Sequence, residues 1–166
     1  NMKHLMLIAI FSIILISCQP PTKKVKMSKE DISLKMIENQ KVMHKAVLES
    51  DYSSYQKFEH PEIIVTTGDS NLNPFYVITK DNIVADTPIT WNTFEYSNME
   101  VYFSPDMNSS VLTFDADGSY IMKKTNDTVQ YASRASSMWV STALGWKILH
   151  SSYAPRNGKI GIPEVD

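Results

Sequence analysis

The sequence predicts an α+β domain: a long N-terminal helix and two short helices, with a strongly bent antiparallel sheet after them. Three observations carry this. Apolar residues recur at helical spacing over Ser28–Ser50. From Trp91 onward the chain is rich in β-branched and aromatic residues, broken by short polar turns. The segment Tyr131 to Pro155, YASRASSMWVSTALGWKILHSSYAP, reads as two strands, Tyr131–Ser141 and Gly145–Tyr153, around a tight turn at Thr142–Gly145.

Taken in order, Met2 to Cys18 has the character of a targeting segment. Lys3 and His4 are basic, and Leu5–Ile16 is an apolar run of about a dozen residues, too short to span ~30 Å of hydrocarbon as a helix. It ends in Leu15-Ile16-Ser17-Cys18, which resembles a bacterial lipobox. That resemblance implies cleavage before Cys18 and diacylation of its sulfur. Cys18 is the only cysteine, so an intrachain disulfide or a cysteine metal site is excluded. Gln19, rather than Asp, follows it and favours the outer membrane of a diderm envelope. Residues Gln19–Met27 (QPPTKKVKM) read as a solvated tether with Lys23, Lys24 and Lys26 near an anionic surface.

Residues 1–17 are thus expected to be a signal peptide, 18–27 a tether, 28–155 one domain and 156–166 a loosely attached tail. With Lys3 removed, 15 basic residues stand against 18 acidic ones, a net charge near −3. No basic stripe suits a phosphate backbone, so nucleic acid is not an expected partner.

Ser28, with Asp31 three residues on, makes a capping-box-like start to the first helix. Ile32, Met36, Met43 and Val47 share one face. Ser50 or Asp51 caps a second, short helix through Tyr52, Tyr55 and Phe58, which stops before Pro61. Glu62–Thr67 is the first strand, followed by a polar turn over Gly68–Asn71. Thr79 caps a third helical turn through Asp81 and Val84. Strands follow at Phe94–Phe103, Ser110–Lys124 (with a bulge at Asp117-Gly118), Thr128–Ser141 and Gly145–Tyr153.

The pattern Tyr131, Arg134, Trp139, Gly145-Trp146-Lys147-Ile148, His150, Ser152 and Pro155 resembles the closing hairpin of SnoaL-like domains. These belong to the nuclear transport factor 2-like superfamily, with ketosteroid isomerase and scytalone dehydratase. It also resembles the end of the calcium/calmodulin-dependent kinase association domain, where two Trp are likewise separated by six residues. The detailed match covers about 25 residues. It implies a cone, the sheet wrapping the long helix around an interior pocket, and homodimerisation. The acid–base residues of the superfamily's enzymes do not map onto this chain residue by residue.

Chemistry is sparser. His44, His60 and His150 lie far apart with no metal-ligand spacing, and there is no nucleophile elbow or phosphate-binding glycine loop. No metal or cofactor is expected. His150 is the candidate proton-transfer group by its intrinsic pKa, with Asp115 as its acid–base partner; alternatively His150 is an ordinary strand histidine. Arg134 either binds a ligand carboxylate with its fork or pairs with Asp115, Asp117 or Glu100. Trp91, Tyr131, Trp139 and Tyr153 either line the pocket or are simply core.

The hairpin register decides which of these meet. Pairing Ser141 with Trp146 puts Trp139, Ser137 and His150 on one face, and Arg134 with Met138, Leu149 and Tyr153 on the other. A loop one residue longer groups Arg134 and Met138 with Trp146 and His150. Two functions from different classes follow. One is a lipid-anchored, non-catalytic module that binds a small apolar or acidic molecule or assembles through its sheet. The other is an isomerase or dehydratase using proton transfer inside the cone.

Overall fold

The computed structural model describes residues 27–67, 76–84, 87–159 and 161–162. The expected signal peptide, Cys18, the tether through Lys26 and the turn at Gly68–Asn71 lie outside the described residues.

Helix α1 spans Lys29–Leu48 and starts where the sequence says it should. The Ser28 hydroxyl accepts the Asp31 N–H at 3.0 Å, and the Asp31 carboxylate accepts the Ser28 N–H at 3.3 Å. These bonds satisfy two groups a helix start leaves unpaired, and losing such a cap costs about 1 kcal/mol. The expected stripe faces inward: Met36 and Met43 are buried, and Ile32 and Val47 pack against the core. Gln40 and Ala46 are buried on the same side.

Helix α2 is a single turn, Tyr52–Tyr55, capped by Asp51, which accepts the Ser54 N–H at 3.2 Å. It ends earlier than Pro61 alone demands. The Phe58 carbonyl accepts the Ile148 N–H at 2.8 Å, drawing the next residues into the sheet. Strand β1 therefore begins at Glu59 and runs through Pro61 to Thr67. After β2 (Tyr76–Val77) and helix α3 (Lys80–Val84) come β3 (Ile89–Phe103), β4 (Ser109–Met122), β5 (Thr128–Thr142) and β6 (Gly145–Pro155).

The six strands form one sheet in the order β2-β1-β6-β5-β4-β3. All pairs are antiparallel except β1 with β6, which is parallel. Nothing in the local sequence announces that parallel pair, because it joins residues 86 to 89 positions apart.

The inner face carries the core. Three of its rows read Ser110–Trp139–Ile148, Leu112–Ser137–Ser151 and Phe114–Ala135–Tyr153 across β4, β5 and β6. Helix α1 lies along them. A helical step of four residues rises about 6 Å, and two strand residues about 6.6 Å, so successive inward helix positions meet successive rows. Ser110 Oγ lies 3.5 Å from Met36 Sδ over the first row, and the His44 ring meets Tyr153 at the third. Gln40, buried, lies between Met36 and His44 along the helix.

Register at the hairpin departs from both sequence alternatives. Ser141 does pair with Trp146, but the ladder slips between Met138 and Trp139, where Leu149 has no opposite residue. That bulge reverses the alternation of everything after it. Trp146 and Ile148 point inward with Trp139, whereas His150 pairs with Met138 and joins the outer face with Arg134. Tyr153, paired with Ala135, is inward.

Two further expectations are corrected. The register shifts of the β3–β4 pair fall between Trp91 and Thr93 and between Ser97 and Glu100, not at Asp117-Gly118. Gly118 stands opposite Phe94, and a Cβ there would lie 2.2 Å from the Thr93 carbonyl oxygen. Its glycine permits that close approach. Nor is the segment after Pro155 loose where it is described. Arg156 bonds Asp117 and lies 3.6 Å from Asp115, its N–H reaches the Ala132 carbonyl, and the Tyr120 hydroxyl donates to the Gly161 carbonyl at 2.8 Å. Ile162 packs on the core.

Replacing Gly118 with Ala is expected to destabilise the domain by about 1–3 kcal/mol, because backbone must shift to admit the methyl group. Urea unfolding monitored by tryptophan fluorescence measures this. An unchanged midpoint would show that the contact with Thr93 is easily relaxed.

Candidate functional site

The two faces of the sheet divide the candidate residues. Inside, aromatic rings pack edge to face. Trp91 meets Tyr131, Tyr120 and Phe94 at centroid distances of 5.0, 5.6 and 4.9 Å. Trp139, fully buried, meets Phe58 at 6.4 Å, and Tyr153 meets Phe114 at 6.1 Å. All four aromatic residues singled out in the sequence thus face the core, distributed along its length. Such pairs contribute about 0.5–1.5 kcal/mol each beyond burial, so they stabilise the domain whatever else they do.

Among these rings sits a group the sequence reading passed over. His44 projects from α1 onto Phe94, Tyr96 and Tyr153, at 4.5, 5.5 and 6.5 Å, and its Nδ1 is hydrogen-bonded to the Tyr96 hydroxyl. The residue as a whole is half-buried, but its ring is enclosed. Loss of hydration pushes the imidazole down to about 4 and, with a smaller contribution from Tyr153, raises the Tyr96 hydroxyl. Both are therefore neutral near pH 7. A signal was present, since His44 stands eight residues after Met36, on its stripe. The periodic reading assigned that stripe to apolar residues only.

One turn earlier, Gln40 is fully buried and neither atom of its amide has a hydrogen-bond partner among the described residues. The Trp139 Nε1 is likewise buried without a partner. Unpaired buried amides are costly, about 1–3 kcal/mol, and mark this part of the core as polar where packing alone would favour a hydrocarbon.

Outside, the residues expected to do chemistry are dispersed. Asp115 accepts a hydrogen bond from Asn98 at 2.8 Å and lies beside Arg156. His150 lies on β6, two strands over from Asp115. The β5 residues opposite them, Met138 and Arg134, are four apart, about 13 Å along the strand. The structure does not bring His150 and Asp115 together. Arg134 is exposed and stands opposite Asp115, yet Arg156, not Arg134, makes the ion pair. Arg134 instead borders an outer-face depression of about 580 Å³ with Asn98, Glu100, Thr113, Ser136 and Ser152. Phe114, Ala135 and Tyr153, whose neighbours in the strands face outward, also border it.

A row of apolar or half-apolar side chains crosses the same face in register: Ile64, His150, Met138, Val111 and Tyr102, one from each of five neighbouring strands. Tyr102 is 56% exposed, and Ile64 and Val111 are 40% exposed.

This arrangement of one long helix in the hollow of a bent sheet recurs among solved structures. The fold is that of the nuclear transport factor 2-like proteins. A nuclear transport factor 2-like superfamily protein from Salmonella enterica superimposes with a TM-score of 0.61 at 13% identity, covering 77% of this chain and 93% of that one. A ketosteroid isomerase-like protein from Erwinia carotovora atroseptica gives 0.62 at 13% identity, covering 79% and 99%. The CaMKII hub of S. rosetta gives 0.62 at 13% identity, with the same coverages. No protein-family model and no curated protein sequence matches the chain. At these identities the likeness is one of fold. The nuclear transport factor 2-like fold supports unrelated activities, so function must be read from this chain's own residues.

Within that fold, His44 is poorly suited to general-base work. A catalytic base is most effective with a pKa near the working pH, and this one lies well below it with no carboxylate among its partners. Among the described residues no three His, Cys, Asp or Glu side chains gather as metal ligands would, and no helix is long and apolar enough to cross a membrane.

The buried imidazole makes stability pH-dependent. Unfolded, His44 takes up a proton near its ordinary 6.5; folded, it resists until about 4. Between those values the unfolded state binds more protons, so stability falls as pH drops through that window. Thermal melts at about pH 7 and about pH 4.5 should show a smaller loss of Tm for His44→Gln than for the unaltered protein. Equal losses would show that His44 is hydrated in the folded state.

Proposed function

We propose that this protein is a lipid-anchored, non-catalytic module of the bacterial cell envelope that self-associates through the outer face of its sheet. The observation that carries the reading is the uncovered row Ile64–His150–Met138–Val111–Tyr102. Apolar side chains aligned in register on one sheet face make a self-complementary surface, as a two-fold interface requires. The placement of His150 on that face, distant from Asp115, supports assembly over proton transfer. A solved neighbour described as a hub makes the use of this fold in assembly reasonable for the chain. The anchor rests on the lipobox-like Leu15–Cys18 and the single cysteine.

A second reading, small-molecule binding inside the cone, is favoured by the partnerless amide of the buried Gln40. A neutral ligand fits better than a charged one, because no ionised group is described beside it.

Light scattering on protein lacking residues 1–17 and carrying Cys18→Ala is expected to give a dimer at tens of micromolar. Val111→Asp should convert it to a monomer with an unchanged circular dichroism spectrum. A monomeric parent protein at that concentration would sink the assembly reading. The anchor is checked separately: in cells, Cys18→Ala in the full chain should move the protein from the membrane fraction to the soluble one. A small molecule released on denaturing the purified protein and detected by mass spectrometry would move the balance to the second reading.

A further inference from the structure

The end of the domain from which the tether departs also carries its most exposed apolar side chain. Lys29, the first residue of α1, places its ammonium 5.6 Å from the centre of the Phe103 ring. Phe103 in turn lies 5.9 Å from Trp146, next to the β5–β6 turn. The neighbouring β3–β4 turn is tied to the same end, because the Ser141 N–H donates to the Asn108 carbonyl at 2.8 Å. At the tip, Ala143-Leu144 projects past Gly145, whose φ of 97° closes the turn. Leu144 is 85% exposed, more than any other large hydrophobic residue described.

We infer that Leu144 and the β5–β6 tip dock into the bilayer interface, so that the domain sits on the membrane with this end down. The inference rests on the lipid anchor proposed above. It goes further in naming which surface meets the lipid. From Cys18 to Met27 the tether has ten residues, which as a flexible chain span about 17 Å and fully extended about 35 Å. A domain held that closely by Ser28 presents to the bilayer the end at which Ser28 lies.

Charge at this end agrees. Lys29 is here, and Lys147 reaches the Lys57 carbonyl, which places both of these lysines beside the tip. The tether contributes Lys23, Lys24 and Lys26 in sequence. The acids nearby are Glu30, Asp31, Asp106 and Glu59, the last opposite Ile148 and bonded by the Tyr52 hydroxyl. Asp31 is engaged by Ser28, and Asp106 by Ser104 and Asn108. Lysines around one projecting apolar residue suit a surface of anionic headgroups over hydrocarbon. A single leucine is too little for independent binding, so the contact orients a domain that the lipid already holds.

The test uses the full-length lipidated protein with Leu144→Cys, whose only free thiol is then the introduced one because Cys18 carries lipid. It is labelled with an environment-sensitive fluorophore and reconstituted into vesicles of equal phosphatidylcholine and phosphatidylglycerol. Thr125→Cys, in the β4–β5 turn at the other end of these strands, is the reference. Docking predicts a blue shift and quenching by brominated lipid at 144 and neither at 125, with the signal at 144 weakened in phosphatidylcholine alone. Vesicle-bound protein with an aqueous spectrum at 144 would overturn the docking and leave the anchor standing. Protein that fails to float with the vesicles would overturn both.

Discussion

The rest of the structure depends on the match between the rise of α1 and the spacing of rows on the inner sheet face. Because four helical residues advance nearly as far as two strand residues, Met36 meets the first row and His44, two such steps on, meets the third, and the sheet closes around one helix. Burying side chains such as Met36, Met43, Leu112, Ile148 and Trp139 stabilises by roughly 1.5–3 kcal/mol each. This dwarfs the outer-face ion pairs, worth at most about 1 kcal/mol where solvent screens them. The same alignment sets two polar groups into the core at a cost, Gln40 without a partner and His44 bonded to Tyr96.

The bulge at Leu149 has the largest consequence for function. By adding one residue to β6 it turns His150 outward and Tyr153 inward, while Trp146, which precedes it, keeps its inward place. Aromatic bulk and titratable chemistry are thereby assigned to opposite faces. The interior retains a histidine too acidic to serve as a base at neutral pH, and the exterior retains Arg134, Asp115 and His150 spread over separate rows and strands.

Contact surfaces on such a domain are also separated. The outer sheet face is broad and in register across five strands, whereas the hairpin end is narrow and has Lys29 and Lys147 beside the start of α1. The proposed self-association uses the first and the proposed lipid contact the second. Among the described residues beyond β6, Arg156 is held against Asp115 and Asp117 and Ile162 against the core.

The sequence by itself determined the class of the fold, the start of α1 at its capping box, the order of the elements, the inward Met stripe and the aromatic closing hairpin. These depend on local periodicity, capping and turn chemistry, which a chain expresses within a few residues. Only the tertiary structure decided the parallel pairing of β1 with β6, the docking of the tail, and which residues share a site. His44 and Tyr96 are 52 positions apart and meet because a helix lies in a bent sheet. His150 and Arg134 came to share a face through a one-residue slip that nothing in the local pattern announces. Face assignment in a strand has a period of two, so one unpaired residue anywhere along a ladder reverses it, and where that residue falls is chosen by packing across the whole sheet.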